Sequence, residues 1–266
     1  MSINSFPIVH GLRKDPVETK DFKLTTIKKN LPKRINWEIE MSPVKNQGSL
    51  GACVGFATVA MKEWQEQIEF VSDILSGSRL ERNINYYDLS ESWVYWKAKS
   101  IDPWPNEEGT SIKFAMEVLQ KFGVPTEEYW QYSDKTKGDP KKNSEIVAKW
   151  YYIKSYERIN NLDELKSALT KSPVVAGIGT FDEIYRPNPI DGYVEYPKRE
   201  KYSLGGHAVC IVGYDDYKER IRFKNSWGVE WGHKGYGEVS YRYIKDFLWD
   251  AWLAVDLYIT EKEYSI

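Results

Sequence analysis

Apolar residues recur at helical spacing through the first part of this chain and, from Pro173 on, gather into short runs rich in Val, Ile and aromatic residues. The first pattern is that of helices burying one face, and the second that of short strands broken by Gly and Asp turns. Val54, Phe56, Ala57, Ala60, Met61, Trp64 and Ile68 predict a helix from Ala52 to about Phe70. Ser90 is placed to cap a short aromatic-rich helix. A further helix starts near Thr110 or Ser111, buries Ile112, Ala115, Met116 and Leu119, and stops at Gly123-Val124-Pro125. Another runs from Leu162 to about Lys171 behind Asn160 or Asn161. Strands are expected over 174–178, 207–214, 220–225, 235–241 and 252–258. A helical half followed by a strand half predicts an α+β fold, with a helical lobe over about 36–160 and a β-rich lobe over about 161–266 meeting at a cleft.

Residues 1–35 mix Lys, Asp, Thr and Pro without a sustained period, and read as an N-terminal arm preceding a domain at 36–266. Residues 72–88 are polar and read as a surface loop or insertion. At 266 residues the chain can bury a full core. A net charge of -2 and a pI near 6.1 give no global electrostatic basis for binding nucleic acid or an anionic membrane surface. The longest apolar runs are far too short to cross a bilayer. The 11 Trp and 19 Tyr read as core and cleft packing rather than as a base-stacking surface.

Chemistry concentrates in a few segments. Pro43-Val44-Lys45-Asn46-Gln47-Gly48-Ser49-Leu50-Gly51-Ala52-Cys53 leads into the first helix, which places the Cys53 thiol in its first turn. Far downstream come Gly206-His207-Ala208 and Asn225-Ser226-Trp227-Gly228. A thiol attacks a carbonyl only as thiolate, and a helix N-terminus and a nearby imidazolium both stabilise that charge. A lone cysteine in an amphipathic helix is usually a small buried hydrophobe. The order and spacing of the four segments argue otherwise here, and in them the chain resembles the papain-like cysteine peptidases from about Asn36 to Tyr258.

The resemblance implies a two-lobe papain-like fold with the active site between the lobes, and a thiol endopeptidase that cleaves peptide bonds through a thioester on Cys53. It makes His207 the general acid and base, Asn225 the amide that orients the imidazole, Trp227 the shield over that pair, and the Gln47 side chain with the Cys53 N–H the oxyanion donors. It further implies substrate contacts at Gly109 and Thr110, a pocket walled by Ile112 with Gly177 and Ile178 opposite, and an aromatic at Trp231 on the primed, leaving-group side of the cleft. An Ile112-lined pocket favours an apolar residue before the scissile one. Gly206 stands where these enzymes often carry Asp, which removes a charge but no member of the core constellation.

Departures from the family pattern are small. Its signature C-G-[SA]-C-[WY] appears here as Leu50-Gly51-Ala52-Cys53-Val54, without the first cysteine and without the aromatic. His207 and Asn225 follow Cys53 by 154 and 172 residues, slightly more than the family's roughly 130 to 150. Cys210 sits in an apolar run and reads as structural; His10 and His233 read as solvated or loop residues. Two cysteines and three histidines so dispersed match no zinc spacing, so neither a metal nor another cofactor is expected.

The expected partner is a peptide or protein. The low cysteine count and the absence of a basic-then-apolar leader over Met1 to His10 favour a cytoplasmic setting, with leaderless release left open. About 35 residues are too few for the helical inhibitor segment of papain-like zymogens, a pattern nearer to bacterial members, and the arm is expected to fold back and contact the cleft. Two other readings use the same site: a catalytically silent peptide-binding module, and a transpeptidase or deamidase.

Overall fold

The computed structural model describes residues 11–16, 30–75, 86–198 and 203–256. Helix α1 (Cys53–Leu75) begins at the cysteine and runs five residues beyond its expected end. The proposed insertion at 72–88 therefore starts as helix, and 76–85 lie outside the described residues. α2 (Glu91–Ile101) is capped as its sequence predicts, by Ser90 accepting from the Trp93 N–H. α3 (Ile112–Lys121) stops at Gly123, whose φ of +71° suits glycine. Two short helices had no usable apolar period: α4 (Ser144–Ala148) and α6 (Tyr241–Phe247). Between them lies α5 (Leu162–Leu169), capped by the Asn161 side chain.

Among the described residues seven strands form one antiparallel sheet in the order β2 (Ser155–Ile159), β7 (Leu248–Val255), β3 (Val174–Thr180), β4 (Gly205–Asp215), β5 (Arg220–Lys224), β6 (Tyr236–Ser240), with β1 (Arg34–Asn36) pairing β4. The lobes are thus less cleanly divided than the sequence suggests. β1 and β2 both belong to the sheet, although 34–35 were assigned to the arm and 155–159 to the helical half. Each is too short to declare a period of its own.

β4 carries the architecture. Its residues alternate between two cores, Ala208, Cys210 and Val212 facing the helices α1 to α3 and Val209 and Ile211 facing α5 and α6, and an irregularity between Ile211 and Gly213 turns Tyr214 to the second core as well. From Cys53 to Glu66 α1 is consequently buried all round, including Lys62, Glu63, Gln65 and Glu66. Buried charge must be paired. Lys62 bonds Glu66 and Asp256, beyond the end of β7, while Glu63 bonds Ser42 and Lys45.

Candidate active site

Two loops set the site by binding each other. Gln47 donates its backbone N–H to the Ser226 carbonyl at 2.8 Å, the Ser226 hydroxyl donates to Gln47 Oε1 at 2.6 Å, and the Gly228 N–H reaches the Lys45 carbonyl at 3.1 Å. The segment before Cys53 and the segment after β5 therefore form one rigid wall. Behind it lies a charge cluster that the sequence did not announce: Lys45 pairs with Glu63, Asp88 and Glu91, and buried Lys224 donates to Ser42. A cavity of about 20 Å³ beside these groups is also lined by Asn225 and Ser226.

His207 is fully buried, and its Nε2 lies 2.7 Å from Asn225 Oδ1. An amide oxygen only accepts, so Nε2 carries the proton and Nδ1 is the nitrogen able to take another. Asn225 Oδ1 also accepts from the Ser226 N–H at 2.8 Å, and the Asn225 N–H is tied to the Gly235 carbonyl at 3.0 Å. Trp227 covers this pair with its ring centroid 4.6 Å from that of His207, and is itself stacked on Tyr185. Asn225 and Trp227 are thus the two side chains set against the imidazole.

The Cys53 thiol accepts the N–H of Ala208 at 3.4 Å, which brings it to the strand that carries His207. The thiol is wholly buried, and that burial pushes its pKa up to about 11 against the opposing pull of the Ala208, Gly11, Val54 and Cys53 N–H groups. Cys210 is equally buried and is pushed up to about 12. Gln47 is fully buried; its amide nitrogen donates one hydrogen to the Leu50 carbonyl at 2.9 Å and retains a second.

What buries the thiol is the arm. Leu12 is 4% exposed, bridges Thr110 in parallel and Gly206 in antiparallel sense, and packs on the bare Cα of Gly177, where a methyl would come within 2.4 Å of it. The Thr110 N–H donates to the Gly11 carbonyl at 3.0 Å, the Arg13 N–H to the Thr110 carbonyl at 2.9 Å, and the Leu12 N–H to the Gly206 carbonyl at 3.3 Å. Gly109, at φ +82°, leaves no room for a Cβ beneath Gly11. Gly109, Thr110, Gly177 and Gly206 all meet residues 11–13 of the arm, and Ile112 is buried in the same core as Leu12. What reaches the thiol from Gly11 is an N–H, while the Gly11 carbonyl is turned to Thr110.

Trp231 differs from expectation. It is completely buried, edge-on to Trp227 at 5.8 Å, and donates to the Ile184 carbonyl, so it buttresses Trp227 and offers no face to the cleft. Among the described residues no group of acidic, histidine and cysteine side chains is arranged to hold a metal.

Comparisons with known proteins agree with this geometry. Residues 31–246 match the model of the papain family cysteine proteases. Chymopapain of Carica papaya is 31% identical over 221 residues, covering 78% of this chain and 54% of that protein. Cysteine proteinase 1 of Entamoeba histolytica is 28% identical over 211 residues, covering 77% and 62%. The chain spans less than two-thirds of the length of these relatives. Among solved structures, xylellain, a cysteine protease from Xylella fastidiosa, superposes with a TM-score of 0.78 at 26% identity, covering 94% of this chain and 96% of that one.

Proposed function

The chain belongs to the papain family of cysteine proteases, and on that premise we propose that it is a thiol endopeptidase whose cleft is closed by its own N-terminal arm in the state described here. The observation that carries the reading is the meeting of the Cys53 thiol, at the start of α1, with the strand whose His207 is bound to Asn225.

Once the arm leaves, water returns to the cleft and the burial that holds the thiol up to about 11 is relieved. The α1 N-terminus and a protonated His207 then favour the thiolate. Cys53 Sγ attacks the substrate carbonyl carbon, and the oxyanion takes hydrogen bonds from the Cys53 N–H and the second hydrogen of the Gln47 amide. His207 passes its Nδ1 proton to the departing amine, leaving a thioester. It then removes a proton from water, which attacks the thioester and releases Cys53. Asn225 holds the ring without adding a charge, and the indole of Trp227 keeps water from their hydrogen bond.

Leu12 stands in for an apolar side chain of a substrate in the pocket bounded by Ile112, Gly177 and Gly206, which supports a preference for an apolar residue preceding the scissile one. Both cysteines are unpaired and buried, and we place the protein in a reducing, cytoplasmic setting. The test is a peptide-library digest by a chain beginning at Asn30, compared with its Cys53→Ala variant. Loss of cleavage in that variant and a thioester adduct on Cys53 by mass spectrometry are expected. Equal cleavage by the two refutes the assignment, and products joined to an added amine in place of water redirect it to transpeptidation.

A further inference from the structure

Asp15 is an arm residue, yet its side chain is wholly buried. Its Oδ1 accepts the Lys113 N–H at 3.0 Å, and its Oδ2 faces Trp252 Nε1 and the Arg158 guanidinium at 3.3 Å. The buried Ser111 hydroxyl lies against the same group. Ser111 is the N-cap of α3 but makes no capping bond with its own side chain, so the arm's carboxylate caps the helix from outside. The Asp15 N–H in turn donates to Asp250 Oδ2 at 3.0 Å, and Asp250 Oδ1 takes the other arm of Arg158 at 2.9 Å. Three donors from α3, β2 and β7 thus converge on one acidic side chain, three residues from the leucine that fills the cleft.

We propose that Lys113 N–H, Trp252 Nε1 and Arg158 form a carboxylate-binding site whose ligand is Asp15, and that this site latches the arm across Cys53. The proposal rests on the reading of the arm as an occupant of the cleft and is independent of catalysis.

The charges around Asp15 give the latch a pH sense. Facing it are Asp250 on β7, Arg158 on β2 and the first turn of α3, where Lys113 carries the second cation; on its own segment Arg13 is engaged by Glu107 at 2.7 Å and Lys14 lies over the Trp249 ring. Two buried carboxylates share one guanidinium. Burial, then the charge of Asp250, push Asp15 up from 3.8 to about 6. The rise belongs to the closed arm alone, since a released Asp15 is solvated. A carboxyl raised in the closed state binds its proton more tightly there, so its protonation adds to closure in full below the free value and that addition is lost as pH rises through about 6. The arm is therefore held more firmly in acid and loosens toward neutrality.

The experiment compares iodoacetamide labelling of Cys53, followed by intact mass, in the full chain and in the chain beginning at Asn30 at each pH. The ratio of the two rates isolates arm closure from thiol ionisation. Asp15→Ala should lower this protection at least tenfold at pH 5.5. Asp15→Asn, neutral at every pH, should hold it level from pH 4.5 to 8 while the parent falls. A synthetic peptide of residues 8–18, fluorescently tagged, should bind the shortened chain by anisotropy, and its Asp15→Ala form at least tenfold more weakly. Equal protection in Asp15→Ala and the parent, parallel pH profiles for Asp15→Asn and the parent, or equal binding by the two peptides overturns the latch. The anisotropy measurement needs no reactive thiol, so a failure of the peptidase reading stays separate from a failure of this one.

Discussion

Leu12→Ala tests the closed cleft without touching the enzyme that the cleft serves. Leu12 contributes a side chain that is almost wholly buried against Gly177 in the closed state, and it lies on a segment that is solvated when the arm is open. The substitution removes three carbons from the closed state alone. At ~0.8 kcal/mol per buried carbon the loss is about 2.4 kcal/mol, which shifts the balance toward the open arm by roughly 60-fold. Labelling of Cys53 by iodoacetamide at fixed pH reads that balance, because the thiol is reachable only from the open state. The rate should climb by that factor, or stop short of it on reaching the rate of the chain that begins at Asn30. Cys210, buried in the sheet, serves as the internal reference and should stay unlabelled in both. A Leu12→Ala rate within twofold of the parent, with both far below the shortened chain, would refute the claim that Leu12 holds the arm in place.

Other substitutions test the wall and the base. Asn225→Ala frees the His207 ring and should lower kcat/KM of the shortened chain on the order of 10²-fold, with KM little changed; an unaltered rate removes Asn225 from the mechanism. Gln47→Ala removes one oxyanion donor and should cost about 10²- to 10³-fold in kcat. Steady-state kinetics on a cleaved library peptide check both. Lys62→Ala leaves Glu66 and Asp256 buried without their cation, and should lower unfolding stability in urea by ~3–5 kcal/mol. A change below 1 kcal/mol would mean that water reaches that cluster.

The helical half was legible because its helices bury one face and carry their own stops: Ser90, Asn161 and Gly123 are all used as their sequence context predicts. α1 marks the limit of that reasoning. Its period announces one apolar face, while the fold buries Lys62 and Glu63 as well, because their partners Asp256, Ser42 and Lys45 come from distant segments. No local pattern reports a buried ion pair. β1 and β2 went unseen for a related reason, since strands of three and five residues gain their order from β4 and β7 and not from alternation. Trp231 was misplaced because an aromatic beside a cleft and an aromatic behind its wall read alike in sequence.

Three glycines explain why arm and cleft fit so closely. A Cβ at Gly177 would strike Leu12, one at Gly109 would strike Gly11, and one on Gly11 would strike the Gly51 carbonyl. Extended chain can therefore lie directly on the backbone of both walls, where Thr110 and Gly206 offer the hydrogen bonds. Those bonds ask nothing of side-chain identity, so any extended peptide can compete for them. What distinguishes the arm from a passing substrate is the tether that keeps it near and the carboxylate three residues beyond Leu12. The backbone of the two walls thus supplies general affinity for peptide, while Asp15 determines how long the chain's own segment stays there. A substrate bearing an acid at the matching offset would gain the same site once Asp15 had left it.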